Sequence, residues 1–476
     1  MKQLSPTDTL FVNLETPRTP LHISSLQVYD PPAAGENPVR FKDVLQRYEQ
    51  RLGRSSVFRR KLARVAFDLD SPYWIEDADF DLEFHVRHIA LPKPGDWRQF
   101  CILIARLQSQ SLDLSRPPWE AYVIEGLDNI NGLPSGSWAM LSKTHHAAID
   151  GSTGNQMAVA LHDLEPYPVE IKVADTWKPE SEPGQLKMLG KAYLNLFKTP
   201  KQIKTMAGQV IKSRSNKIRS RFDSTSHIHD LKERIRFNAD VSPQRVFGGL
   251  RIELSQLKHI KNVVKDATLN DVLLSIVSGA MRHYLSEKNE MPDGPLTVMV
   301  PISTRTKEGV NADGGNEVAA MNVKMCIDIA DPLERLKGIH SDAVASKAYA
   351  DAVGADMMSS MIESIPAGLM SLGMRAAAKT GLMSKAPTPH TVVTNVPGPQ
   401  FPLYFCGAKS SLAMGLGCLA DGSGLFHTVA SYNGYLSLTF LSCKEMMPDP
   451  DFYHQCINRS FKEHLEAADV LVNAKE

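Results

Sequence analysis

Residues 138–154 constrain the fold and chemistry of this chain more than any other stretch. They open with Trp138-Ala139-Met140-Leu141-Ser142-Lys143-Thr144, an apolar and hydroxyl run without a breaker, which has the character of a buried strand. Two histidines follow, His145 and His146, then Ala147-Ala148-Ile149, Asp150 and Gly151. Successive side chains of a strand point to opposite faces, so one imidazole faces a cavity while the other packs away from it. A histidine held at a strand end is a good general base near neutral pH. Asp150 is close enough along the chain to hydrogen-bond the imidazole, or to brace the loop by pairing with an arginine elsewhere. Gly151 admits a backbone conformation that most residues resist. The same residues also fit a pair of structural histidines or a metal site. No Cys-x-x-Cys or His-Glu-x-x-His spacing occurs, and the one His-x-x-His pair, His85 with His88, has no cysteine or second histidine pair beside it.

A chain of 476 residues is too long for one typical core, and its composition divides it into 1–164, a linker and crossover over 165–243, and 244–476. Lys+Arg and Asp+Glu both number 53, which argues against a general nucleic-acid binder. The six cysteines are scattered without a ligand or disulfide pattern, as in a reducing cytoplasm. The N-terminus lacks the apolar core of a signal peptide, and no run of about 18 apolar residues is present, so any membrane contact is expected to be peripheral.

Periodicity predicts an α/β protein. Helices are expected over 41–60, 100–111, 153–164, 254–264, 268–285, 332–349 and 451–471, and strands over 72–75, 84–86, 121–124, 246–254, 296–301, 315–328 and 391–394. Thr268 is the expected N-cap of its helix, with Asp271 in the first turn. Pro117-Pro118-Trp119 reads as a rigid turn with an anchoring indole. From 187 to 221 all ten charged residues are basic, interleaved with apolar ones, a pattern that suits an anionic lipid surface, a solvated basic face over the core, or the phosphates of CoA. Met357, Met358, Met361, Met370, Met374 and Met383 fit either ordinary core packing or a wall adaptable to alkyl chains.

His145-His146-Ala147-Ala148-Ile149-Asp150-Gly151 resembles the H-H-x-x-x-D-G signature of CoA-dependent acyltransferases. Leu4-Ser5-Pro6-Thr7-Asp8, Pro20-Leu21-His22, Pro117-Pro118-Trp119-Glu120, Asn270-Asp271 and Asn395-Val396-Pro397-Gly398-Pro399 resemble, in order, motifs of the bacterial wax ester synthase/diacylglycerol acyltransferase family, with Pro118 replacing a leucine. That resemblance argues against a metal site and implies two chloramphenicol-acetyltransferase-like halves with mixed sheets and a tunnel at their interface. It implies His146 as the base, because shorter forms of the signature retain this second histidine, and His145, Asp150 and Gly151 around it. Asn270, Asp271, Asn395, Pro397 and Gly398 would shape the substrate channel. The expected substrates are acyl-CoA and a fatty alcohol or diacylglycerol, with no other cofactor, in the cytoplasm or peripherally at a membrane or lipid inclusion. A condensation-type acyltransferase fed by carrier-protein thioesters would share the histidines. A lipid-inclusion coat protein with a vestigial site would not need them intact.

Overall fold

The computed structural model describes residues 1–32, 38–149, 160–168, 177–196, 233–303, 318–353, 368, 373 and 387–474. Among them are two six-stranded sheets and one three-stranded sheet, with helices packed around them. The expected α/β architecture with mixed sheets is what the chain adopts.

The first large sheet runs in the order Tyr404–Phe405, Ala408–Leu416, His22–Tyr29, Trp138–His145, Trp119–Glu125, Val86–Ala90. Its neighbours are antiparallel except for Val86–Ala90 beside Trp119–Glu125. Trp138–His145 lies inside the sheet and is covered on both faces, which explains why it reads as a nearly continuous apolar run. The second large sheet runs Val318–Lys324, Thr297–Ser303, Thr391–Val396, Leu425–Tyr432, Tyr435–Cys443, Arg245–Glu253. Its central strand Thr391–Val396 is parallel to both neighbours. The Asn433-Gly434 corner, at φ 44° and 83°, joins two strands in the tight turn that this dipeptide favours.

Two strands of the first sheet, at 404–416, come from late in the chain. Leu412, Met414 and Leu416 pair with Val28, Leu26 and Ser24. From there the strand also packs on the second sheet, where Thr439 Oγ1 donates to the Gly415 carbonyl at 2.6 Å. One core cluster consequently runs through both sheets. Leu26, Tyr122 and Leu141 of the first share it with Phe247, Leu438 and Phe440 of the second, and with Phe100 and Ile104 of the helix Trp97–Ser109. The opposite face of the first sheet has its own core, where Tyr29, Trp119, Trp138 and Met140 meet Val44 and Tyr48 of the helix Phe41–Arg51.

Most expected elements appear within a few residues of their predicted bounds. The helix predicted over 41–60 stops at Arg51 and continues as 3-10 turns Leu52–Arg54 and Ser56–Phe58, because Gly53 and the serines favour turns over helix. The strand predicted at 84–86 is instead a helical turn Leu82–His85, capped by Asp81, and the strand begins at Val86. Residues 153–159 of the helix predicted at 153–164 lie outside the described residues, and of the rest only 160–161 are helical; the methionines at 357–383 and 197–221 of the basic stretch also lie outside them.

Candidate active site

His145 is the last residue of its strand and His146 the first of a single 3-10 turn, His146–Ala148. Backbone bonds pin the corner from both neighbouring strands. The His145 amide donates to the Pro118 carbonyl and the His146 amide to the Leu21 carbonyl, each at 2.9 Å. The Pro-Trp element thus has the structural role expected of it. Trp119 is buried, its indole donates to the Phe58 carbonyl at 2.9 Å, and its ring stacks on His85 and Tyr48. His85 is fully buried and its Nδ1 donates to the Trp119 carbonyl at 2.7 Å, so it is structural, while His88 pairs with Glu125 at 3.0 Å near the surface.

The two imidazoles of the pair have different surroundings. His145 is wholly buried. Its Nδ1 accepts from the Ala147 amide at 3.1 Å, capping the turn, and its Nε2 lies 3.3 Å from Glu15 Oε2. A nitrogen that accepts an N–H must present a lone pair, so the ring carries its hydrogen on Nε2, the nitrogen nearest the carboxylate. His146 keeps partial solvent access and stacks on Phe11, with ring centroids 4.0 Å apart and planes at 15°. Burial, and then the neighbouring His145, pull its pKa down to about 4. Its imidazole is therefore neutral at pH 7 and ready to accept a proton.

Phe11 belongs to the helix Pro6–Leu14. Ser5 caps that helix by accepting from the Asp8 amide at 3.0 Å, and Pro6 occupies its first turn, where a missing N–H costs nothing. Glu15 follows at its C-terminal end. Neither Phe11 nor Glu15 was identifiable from sequence, since nothing local links them to residues 130 positions away. Two further groups, read from the sequence only as parts of the Pro20-Leu21-His22 motif and of the strand run, stand close by. His22 is buried directly across from His145 in the strand pairing, and burial holds it neutral. Lys143 is also fully buried. It donates to the Gln110 carbonyl at 2.7 Å, lies 3.8 Å from Glu120, and burial pushes its pKa down to about 8.

Asp150 and Gly151 lie outside the described residues. Where the chain is described again, it is strongly anchored. Arg51 is buried and donates to the carbonyls of Ala160 and His162 at 3.3 and 3.1 Å, and it pairs with Asp163. Asp163 in turn exchanges backbone bonds with Tyr404.

Asn270 and Asn395, which are 125 residues apart in sequence, meet through a 2.7 Å bond from Asn395 Nδ2 to Asn270 Oδ1. Asp271 accepts from the Thr268 amide at 2.8 Å, while Thr268 Oγ1 accepts from the Asp271 amide, forming the expected cap. Asp271 also binds His340 at 2.9 Å. Pro397 is exposed beside Gly398, whose missing side chain has a clear reason: a Cβ there would lie 2.3 Å from the Ser431 carbonyl oxygen. Beside Asn270, an open cleft is lined by Lys258, Lys261, Lys265 and Thr268. Among the described residues, no group of three or more His, Cys, Asp or Glu is arranged to hold a metal ion.

Comparison with known proteins places this geometry in a family. The wax ester synthase/diacylglycerol acyltransferase catalytic domain matches residues 4–273, and the WS/DGAT C-terminal domain matches 314–464. A Mycobacterium tuberculosis protein assigned as a diacylglycerol O-acyltransferase is 32% identical over 97% of this chain and 98% of its own. A Mycobacterium bovis protein with the same assignment is 30% identical over 94% and 95%. Among solved structures, the wax ester synthase/diacylglycerol acyltransferase from Marinobacter aquaeolei VT8 aligns with a TM-score of 0.70 at 23% identity, covering 98% of this chain and all of that one. The trichothecene 15-O-acetyltransferase from Fusarium sporotrichioides aligns at 0.61 with 8% identity, over 98% and 95%. These two show the fold.

Proposed function

The chain belongs to the wax ester synthase/diacylglycerol acyltransferase family and is an acyltransferase, and we propose that it moves a long-chain acyl group from acyl-CoA to a fatty alcohol or diacylglycerol, with His146 as general base. The observation that carries the assignment of the base is the contrast within the pair: His145 is wholly buried, with Nδ1 bound to the Ala147 amide and Nε2 beside Glu15, whereas His146 is neutral and partly open to solvent.

In the proposed reaction, His146 takes the hydroxyl proton as the acceptor oxygen attacks the thioester carbonyl carbon. The tetrahedral intermediate then collapses, the C–S bond breaks, and the CoA thiolate leaves with the proton from His146. A thioester is already activated, so no covalent enzyme intermediate is required, and no cofactor other than the acyl-CoA substrate enters the reaction. Asp150 would orient the loop and Gly151 would permit its turn. The linked Asn270 and Asn395, with Asp271, Pro397 and Gly398, would shape the substrate channel. The lysine-lined cleft beside Asn270 supports a polyanionic donor such as CoA.

No helix among the described residues is long and apolar enough to cross a membrane. The helix Gln185–Leu196 buries Met188 and Ala192 but leaves Leu186, Tyr193 and Leu194 more than 60% exposed, beside Lys187 and Lys191. This apolar and basic face supports peripheral contact with a membrane or lipid inclusion, where the acceptor is dissolved.

The test is thiol release from palmitoyl-CoA by the purified chain, with hexadecanol and dioleoylglycerol as separate acceptors and the lipid products resolved. Acceptor-dependent release with ester formation is the expected result, and its ratio ranks the two acceptors. Folded protein that releases no thiol with either would transfer the assignment to carrier-protein thioesters or a non-catalytic coat.

A further inference from the structure

Among the described residues, Glu15 brings a carboxylate to the histidine corner, where it lies beside His145 and holds the Leu21 backbone that supports His146. Its Oε2 lies 3.3 Å from His145 Nε2, a charge contact without hydrogen-bond alignment. Its Oε1 accepts from the Leu21 amide at 3.3 Å, and the Leu21 carbonyl in turn accepts from the His146 amide. The carboxylate is nearly buried, with its side chain 10% exposed. The loop between these contacts is firmly held. Thr16 and Thr19 bond to each other through backbone and side chains, and Arg18 donates to the Val241 carbonyl at 3.2 Å and pairs with Asp421 at 3.1 Å. Arg245 donates to the Arg18 carbonyl. The 15–21 loop thus ties the late part of the chain to the corner from which His146 projects.

We propose that Glu15 is a positioning residue for acyl transfer: its carboxylate fixes the hydrogen of His145 on Nε2, and through Leu21 it sets the backbone that aims His146. The inference rests on His146 being the base. With the Nε2 hydrogen beside the Glu15 carboxylate, Nδ1 stays a lone-pair acceptor for the Ala147 amide, and the turn that starts at His146 keeps its cap. Glu15 acts through His145 and Leu21. Its effect is on the orientation of the imidazole, which general-base catalysis depends on steeply.

Glu15→Gln separates this role from simple support of the loop. An amide has one acceptor oxygen, so whichever way it turns, either Leu21 N–H or His145 Nε2–H faces a donor. The expected result is a kcat at least about tenfold lower in palmitoyl-CoA thiol release, with KM for palmitoyl-CoA within about twofold and an unchanged circular dichroism spectrum. Added to His145→Ala, Glu15→Gln should cost much less than it does alone, because the two act as a unit. In 15N-histidine spectra, the His145 ring should be a fixed Nε2–H tautomer in the native chain and an averaged one in Glu15→Gln. A Glu15→Gln protein with native kcat and an unaltered His145 tautomer overturns the proposal while leaving the acyltransferase assignment intact. A native protein that releases no thiol overturns that assignment instead, and the tautomer spectra then still decide whether Glu15 holds His145.

Discussion

His427 and His464, in the late half of the chain, are held neutral as firmly as His146. Burial pulls His427 down to about 3, and His464 and His146 each to about 4. The resemblance ends there. His427 is fully buried between Thr391 Oγ1 and the Tyr453 hydroxyl, each at 2.9 Å. His464 is fully buried between Ser275 Oγ and the Ser460 carbonyl, each at 2.7 Å. Both nitrogens of each ring are engaged by neutral partners, so these rings knit the core and have no reach to a substrate. His146 has the same neutral charge state, but it stands at a strand end with solvent access and an aromatic ring stacked on one face. A depressed histidine pKa therefore marks burial, and access separates chemistry from packing.

The comparison predicts opposite outcomes for the two regions. His146→Ala should lower turnover by at least about two orders of magnitude while leaving the thermal midpoint close to native. Native-like turnover in that variant would break the comparison. His464→Ala should do the reverse. It strips a buried partner from Ser275 and opens a gap, costing about 1–3 kcal/mol in urea unfolding, with native turnover per folded molecule. Acid should act on both regions together. A histidine whose folded pKa lies below its unfolded value binds fewer protons when folded, so stability rises with pH across that window. For His146 and His464 the window runs from about 4 to 6.5, and for His427 from about 3 to 6.5. The urea midpoint should fall progressively as pH drops below 6.5, and His464→Ala should flatten that slope. The smallest effect belongs to Thr268→Ala, which removes one half of a helix cap and should cost about 1 kcal/mol without altering which histidine is essential.

What the sequence made legible was local. The buried strand ending in His145 is written in eight consecutive residues, and the Thr268–Asp271 cap in four. The difference in environment between adjacent histidines followed from strand alternation, although the chain in fact leaves the strand at His146. The illegible parts depend on distant pairings. Ala408–Leu416 alternates like any strand, and nothing in it reveals that it joins His22–Tyr29 across almost four hundred residues. Phe11 lies in an ordinary helix and Glu15 ends it, and their relation to the histidines exists only once His22–Tyr29 pairs with Trp138–His145. Leu82–His85 was misread because its aromatic residues favour strands, whereas the Asp81 cap and packing on Trp119 decide for a helical turn.

The most direct test of a neutral His146 acting as base is the pH dependence of kcat/KM for acceptor-dependent thiol release, taken only where circular dichroism shows folded protein. Only the neutral ring accepts a proton, and kcat/KM reports the free enzyme. With the His146 pKa near 4, the profile should stay flat through pH 6.5 and down to about pH 5 before it declines. An acid limb centred near 6.5, the value of an unperturbed histidine, would contradict the account.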